Sequence, residues 1–430
     1  MISLRSVTCR RRLWVSLGGV ASSSSYTNPG LFRGAEIVHD LEPYNLNKNL
    51  TECIAPIPVF QQLNETSHLA PGADFFPGLS GDKIVDIFKF MVKTNVLDNV
   101  LQDIQRQGRI SFYISNYGEE AAQLGSISAL KFEDEVWTQY RELGCFLYRG
   151  LTTEMCTDQT FSTKFEPGKG RQMPIHYTMI EGHMQSVTSP LGTKILHAAG
   201  AGYSFKLDKA DRVAVVYFGD GAASEGDFAV AINFAATLGS QSLFICRNNG
   251  YAISTPSTDQ YRGDGIAPRA LAYGMKCIRV DGNDVVAVYN ATKAAREEII
   301  ESGAPVLLEL MTYRRGHHST SDDSTKYRRP GELEEWSKSG REPISRFKKI
   351  LIERGLIKDE KFEDNIRNEY REELLACIKK SEKKLRAPVD DCFTDVYVQI
   401  PWHLQEQLDN LKDHLSRYGE NYDLSIYDRK

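Results

Sequence analysis

An α/β fold, with a parallel sheet flanked by helices, an N-terminal arm and a helical C-terminal region, is the class this sequence predicts. Three observations carry it: an apolar run at 212–218, helical periodicity from Ser224 to Leu238, and a second apolar run at 242–246. Together they describe one strand-helix-strand unit. Val213-Ala214-Val215-Val216-Tyr217-Phe218 is almost continuously β-branched or aromatic, as expected of a strand buried on both faces of a parallel sheet. Gly219-Asp220-Gly221 makes the turn. Phe228, Ala231, Ile232, Ala235 and Leu238 then recur at helical spacing, with Ser224 expected as the cap and Gly239 as the stop. The next strand, Ser242-Leu243-Phe244-Ile245-Cys246, leads into Asn248-Asn249-Gly250-Tyr251. Asp220 and Asn249 therefore stand at the carboxyl ends of two parallel strands, where open α/β sheets bind ligands.

The rest of the chain falls into segments around this unit. Residues 1–35 contain Arg5, Arg10, Arg11, Arg12 and Arg33 and a serine run at 22–25, with no acidic residue before Glu36. That is the composition of a mitochondrial transit peptide, cleaved somewhere between about residues 20 and 35, and it directs the chain to the mitochondrial matrix. Residues 36–80 are rich in Pro, Asn and Gly and read as an extended arm. From Asp82 to Gln107, Ile84, Ile87, Phe88, Met91, Val92, Val96, Leu97, Val100, Leu101 and Ile104 mark an amphipathic helix. The α/β core spans 81–330 and includes a late strand at Pro305–Leu310; residues 331–430 are charged and helical, with amphipathic pieces at 344–351 and 404–415.

Composition narrows the class of function. The 430 residues carry a net charge of −5, which gives no hint of nucleic-acid binding, and no apolar run is long enough to span a bilayer. The eight cysteines contain no Cys-x-x-Cys pair, a spacing that favours reduced thiols over a disulfide framework or a zinc site.

The residue types at the two strand ends suit a hard cation. Magnesium takes oxygen ligands in an octahedron and commonly shares its shell with phosphates, so a carboxylate, an amide oxygen and a carbonyl suffice from the protein. Asp220, Asn249 and the Tyr251 carbonyl can supply them. Gly219 and Gly221 let the backbone approach a phosphate, and the helix that follows presents free N–H groups to it. Either string alone is usually a plain turn; their pairing across one strand-helix-strand unit is what points to a magnesium-diphosphate site.

The pairing of Gly-Asp-Gly with a later Asn-Asn resembles the thiamine diphosphate-binding fold. Longer strings sharpen the likeness: Gly219 through Thr255, Arg106-Gln107-Gly108-Arg109, Gln139-Tyr140-Arg141-Glu142, Gly168 through Pro174, and Arg315 through Asp323 resemble the α subunits of branched-chain 2-oxo acid dehydrogenases. The blocks run from about residue 55 to the C-terminus with little insertion. The resemblance implies thiamine diphosphate and Mg2+ as cofactors and 2-oxo acids derived from Val, Leu and Ile as substrates. It places Tyr140, Arg141, Ser189, Gly221, Ala222, Arg247 and His318 around the cofactor, with His318 as the catalytic histidine. It implies phosphorylation at Ser319 by a dedicated kinase, reversed by a phosphatase; Arg329 stands where relatives have a second phosphoserine. It also implies a K+ loop at Thr188, Pro190, Thr193 and Lys194, where relatives have glutamine in place of the lysine. Either the Lys194 ammonium takes the cation's place, or it turns away and the other three still bind the ion.

One group is missing from these motifs. Thiamine chemistry needs a glutamate at the aminopyrimidine ring, and in two-chain relatives it comes from a β subunit within an α2β2 heterotetramer, which then passes the acyl group to lipoyl groups on a dihydrolipoyl transacylase core. Three other readings stay open on sequence: a pyruvate dehydrogenase α subunit, a self-sufficient transketolase-like enzyme, for which the chain is short, and a non-catalytic scaffold with a relict metal site.

Overall fold

The computed structural model describes residues 56–428, so the expected transit peptide and residues 36–55 of the expected arm lie outside the described residues. Six strands form one sheet: β1 (Val59–Phe60), β2 (Glu135–Trp137), β3 (Ala214–Gly219), β4 (Ser242–Asn248), β7 (Lys276–Asp281) and β8 (Val306–Met311). Their order is β1-β7-β8-β4-β3-β2, and every neighbouring pair is parallel. Between β4 and β7, β5 (Tyr251–Ala252) and β6 (Thr255–Pro256) make a small antiparallel hairpin.

Alternate residues of each central strand enter two separate cores. Val215, Tyr217, Leu243, Ile245, Leu308 and Leu310 face one layer, while Ala214, Val216, Phe218, Phe244, Cys246 and Leu307 face the other. The first layer is built from α1 (Gly81–Arg106), α2 (Glu120–Ser128) and α9 (Val285–Ser302), joined by α11 (Pro343–Glu353) and α12 (Lys361–Ser381). The second is built from α5 (Thr193–Leu207), α6 (Gly226–Leu238) and α8 (Ala267–Ala272). Two-sided burial is why the strand sequences read as continuous apolar runs and not as alternating ones. Short helices α3 (Leu143–Tyr148), α4 (Thr153–Thr160), α7 (Ser257–Gln260) and α10 (Glu332–Lys338) fill the connections, and α13 (Trp402–Tyr418) buries only Leu408.

The expected helix at 82–107 forms as α1, capped by the Ser80 hydroxyl on the Lys83 N–H. Gly239 ends α6 with φ of 63°, the left-handed conformation expected of a stop residue. Ser224 does not cap that helix. Its N–H bonds the Gly221 carbonyl at 3.0 Å within a 3-10 turn at Ala222–Ser224, so the extended backbone a cap requires falls on Glu225 instead. Residues 56–80 are tied to the sheet: β1 extends it beside β7, and the buried Asp284 carboxylate accepts the Gln62 N–H at 2.7 Å and also the Leu63 N–H. The six cysteines among the described residues are free, four of them buried, and no described helix is long and apolar enough to cross a membrane.

Candidate active site

The ends of β3 and β4, the β5–β6 hairpin, the turn before α2 and the loop after β8 converge on one buried polar cluster. Asp220 directly follows β3 and is 1% exposed. Burial raises its carboxyl pKa, an effect opposed by the Gln260 side chain, whose Nε2 donates to Oδ2 at 2.7 Å. Asn249 directly follows β4, next in the sheet to β3. Its Nδ2 donates to Glu119 Oε1 at 2.9 Å, and its Oδ1 accepts the Tyr251 N–H at 3.2 Å. Gly250, between them, has φ of 85°, a conformation that a side chain would strain. The Tyr251 phenol points away and donates to both oxygens of Glu332 on α10, at 2.9 and 2.8 Å.

A charged ladder runs on from Glu119. Arg247 is buried at the end of β4, donating from Nη1 to Glu119 and from Nε to Glu142. Burial would lower its guanidinium pKa, but the Glu142 and Glu119 carboxylates outweigh that and raise it. Arg141 Nε lies 3.7 Å from Glu119, while its Nη1 donates to the Ser115 carbonyl and its Nη2 to the His318 carbonyl at 3.0 Å. The Tyr140 ring meets the His318 imidazole edge-on at 5.9 Å. His318 has its pKa pushed down to about 3 by burial first, then by Arg141 and Arg314, so its ring is neutral across the physiological range. Both guanidinium groups approach Nδ1, at 3.4 and 3.5 Å, which makes Nδ1 the lone-pair nitrogen and leaves the proton on Nε2.

The loop carrying His318 is held from several sides. Asp322 accepts the His318 N–H at 2.7 Å and the Tyr327 hydroxyl at 2.6 Å, and Arg314 reaches Tyr327 and the Ile253 carbonyl of the hairpin, both at 2.7 Å. Ser319 sits next to His318 with its Oγ accepting the Ser321 N–H at 3.2 Å.

Gly221 and Ala222 lie in the turn after β3. A Cβ on Gly221 would come within 2.9 Å of the Ala252 methyl, so only glycine lets the hairpin close over this turn. Ser189 is exposed and bonded to His176 Nε2 at 2.7 Å. Its loop packs on the start of α6, where an added Gly192 Cβ would meet Asp227 at 2.9 Å. Among the described residues, the buried Thr188 hydroxyl in this loop finds no hydrogen-bond partner, and Lys194 is half-buried in no ion pair, with a pKa lowered by that burial. The structure thus joins Asn249, Arg247 and Arg141 through Glu119, and Arg141 to His318, with Tyr140 packed against His318 and Asp220 at the neighbouring strand end held by Gln260. Thr188, Ser189 and Pro190 lie in the loop before α5 and Thr193 and Lys194 begin that helix, and among the described residues none of the five is hydrogen-bonded to that group.

Three residues of the cluster lie outside every motif string: Glu119, Gln260 and Arg314. Glu142 and Asp322 sit inside the Gln139–Glu142 and Arg315–Asp323 strings, which carry no signal of the roles these two side chains take. Glu119 does not substitute for the missing aminopyrimidine glutamate, because Asn249 and Arg247 occupy its two oxygens.

Comparison with known proteins bears directly on this cluster. The profile of the family described as dehydrogenase E1 component matches residues 88–390, which span the whole of it. The chain belongs to that family. A 2-oxoisovalerate dehydrogenase subunit alpha, mitochondrial, of Mus musculus is 44% identical over 396 residues, covering 92% of this chain and 88% of the mouse protein. The Homo sapiens protein of the same name is 46% identical over 377 residues (87% and 84%), and that of Caenorhabditis elegans 48% identical over 347 (80% of each). These relatives favour the branched-chain reading over the pyruvate dehydrogenase and scaffold readings, and their mitochondrial location accords with the arginine-rich N-terminus.

Membership of the E1 family implies thiamine diphosphate. The residues present fit it. The Gly221 turn has the bare backbone a phosphate needs, and Gln260 Oε1 is buried with no partner beside the Asp220 carboxylate. Among the described residues no three His, Cys, Asp or Glu side chains group as metal ligands. A site of one carboxylate, one amide oxygen and one carbonyl is the donor set of a magnesium ion that completes its shell with phosphate and water.

Proposed function

We propose that this chain is the α subunit of a branched-chain 2-oxo acid dehydrogenase, decarboxylating the 2-oxo acids of Val, Leu and Ile. The observation that carries the proposal is the placement of Asp220 and Asn249 at adjacent strand ends, in a chain similar along most of its length to proteins named 2-oxoisovalerate dehydrogenase subunit alpha.

When bound, thiamine diphosphate supplies the electron sink that decarboxylation of a 2-oxo acid requires. Asp220, Asn249 and the Tyr251 carbonyl would hold Mg2+ against its diphosphate. Gly221 and Ala222 offer backbone contact, and Ser189 a hydroxyl. Arg141 and Arg247, with Tyr140 beside them, set positive charge around the anion, Glu119 and Glu142 fixing the guanidinium planes. The neutral His318 presents its Nε2 proton as a hydrogen-bond donor, while Arg141 and Arg314 hold the ring from the Nδ1 side. A neutral imidazole donates to a phosphate oxygen or a reacting oxygen without bringing a second charge.

The aminopyrimidine glutamate would come from a β subunit in an α2β2 heterotetramer, with a dihydrolipoyl transacylase core receiving the acyl group. Phosphorylation of Ser319 by a regulatory kinase would add about −1.5 to −2 charges beside the diphosphate pocket and repel its ligand, and a phosphatase would reverse it. For K+, the unpartnered Thr188 hydroxyl supports the arrangement in which Lys194 turns away: an ammonium in the cation's place would donate to that hydroxyl.

Co-expression with a β subunit, followed by decarboxylation assays with 3-methyl-2-oxobutanoate and pyruvate, tests the reading. The branched substrate should be strongly preferred and the α chain alone inactive. Faster turnover of pyruvate would overturn it.

A further inference from the structure

Glu119 is fully buried, and no motif marks it, yet it touches both a candidate cation ligand and the candidate diphosphate arginines. An asparagine amide is nearly symmetric in shape but not in chemistry: the nitrogen donates and the oxygen accepts. A carboxylate facing it can only accept. Glu119 Oε1, 2.9 Å from Asn249 Nδ2, therefore permits one of the two amide orientations, and the Tyr251 N–H at 3.2 Å from Oδ1 selects the same one. In that orientation Oδ1 keeps a second lone pair for a cation. An amide at position 119 could instead donate to Oδ1, turning the asparagine and presenting its NH2 group, which repels a cation.

We propose that Glu119 is a positioning residue for the divalent cation, locking the Asn249 amide with its oxygen toward the metal. The same carboxylate accepts from Arg247 Nη1 and lies 3.7 Å from Arg141 Nε, so one group orients the cation ligand and the guanidinium groups together. The inference rests on Asn249 being a cation ligand, as read above.

The test measures Mn2+ binding in the presence of thiamine diphosphate, by electron paramagnetic resonance of the free ion, on the chain assembled with its β subunit. Glu119→Gln should weaken Mn2+ by about 10- to 100-fold, the usual cost of losing a partner that orients a metal ligand. The double variant Glu119→Gln, Asn249→Asp should recover much of the loss, because an aspartate offers oxygen in either orientation. A purely structural role for Glu119 predicts no such recovery, and that result would overturn the proposal. If Glu119→Gln fails to assemble, Glu119→Asp replaces it: the charge remains, the shorter side chain gives up the Asn249 contact, and the same loss is expected. Unchanged affinity in whichever variant assembles refutes the proposal. Asn249→Ala separates the two levels: if it leaves Mn2+ affinity intact, the ligand reading itself is wrong, whereas a loss there without one at Glu119 defeats the Glu119 inference alone.

Discussion

Gln260 Nε2 donates to the Asp220 carboxylate at 2.7 Å, and this one amide is the only side chain bonded to a buried anion at the mouth of β3 among the described residues. Burial raises the Asp220 pKa, so the native state binds more protons than the unfolded chain over the range between the two values, and ionised Asp220 lowers stability as pH rises through it. Asp220→Asn should therefore melt at a higher temperature than the wild type without ligand. Its magnesium-dependent cofactor affinity should fall by more than the about 10- to 100-fold that loss of an outer partner costs. Calorimetry with and without Mg2+ checks both; an unchanged affinity removes Asp220 from the site.

His318 gives a second pH signature, of the opposite sign. Its native pKa of about 3 lies below the ordinary histidine value of 6.5, so the unfolded state takes up the extra proton between those values. The contribution of His318 to stability is complete above the unfolded pKa and falls as pH drops toward the native one. Denaturant titrations of the cofactor-free protein at about pH 7 and about pH 5 should show a larger loss for wild type than for His318→Asn. In turnover, His318→Ala should lose about 10²- to 10⁴-fold, the range for a positioned proton-handling group. Normal activity in an assembled enzyme would take His318 off the catalytic list.

Arg247 holds two buried carboxylates at once. Arg247→Met leaves Glu119 without its closest cation and Glu142 without an ion pair among the described residues, and breaking a buried pair from one side costs about 3–5 kcal/mol. Chemical denaturation should register that loss. A change below about 1 kcal/mol, typical of an exposed pair, would mean that water reaches the cluster.

Kinase treatment should phosphorylate one stoichiometric site in the late loop, Ser319. Arg329, where the family resemblance would expect a second phosphoserine, is ion-paired with Glu335 on the surface. Phosphopeptide mapping that finds a second full site within 313–330 contradicts the expectation. Ser319→Glu should weaken thiamine diphosphate binding through like-charge repulsion.

Potassium should raise the melting temperature relative to sodium, with the Thr188 hydroxyl as a ligand. Lys194→Gln should enlarge that shift by exchanging an ammonium for a neutral oxygen donor. A melting temperature indifferent to K+ in the wild type but raised by it in Lys194→Gln would favour the ammonium as the cation's replacement, and indifference in both would remove the K+ loop.

The strands and their central helix were legible because burial on both faces leaves an unmistakable record: Val213 to Phe218 and Ser242 to Cys246 have no polar face to expose. The positions of Asp220 and Asn249 followed, since both are fixed by backbone direction at the ends of neighbouring parallel strands. The sequence by itself determined that much, together with the family likeness carried by its motif strings. Only the tertiary structure decided that Glu119 and Glu142 lie between Arg141, Arg247 and Asn249, that Gln260 covers Asp220, and that two guanidinium groups pin the tautomer of His318. Those contacts join residues 22 to 177 positions apart where they cross between elements, with only Arg314 and His318 close in sequence. Local periodicity holds no record of such pairs. They form because charges removed from water must find partners inside the fold, and the sheet brings those partners to one edge.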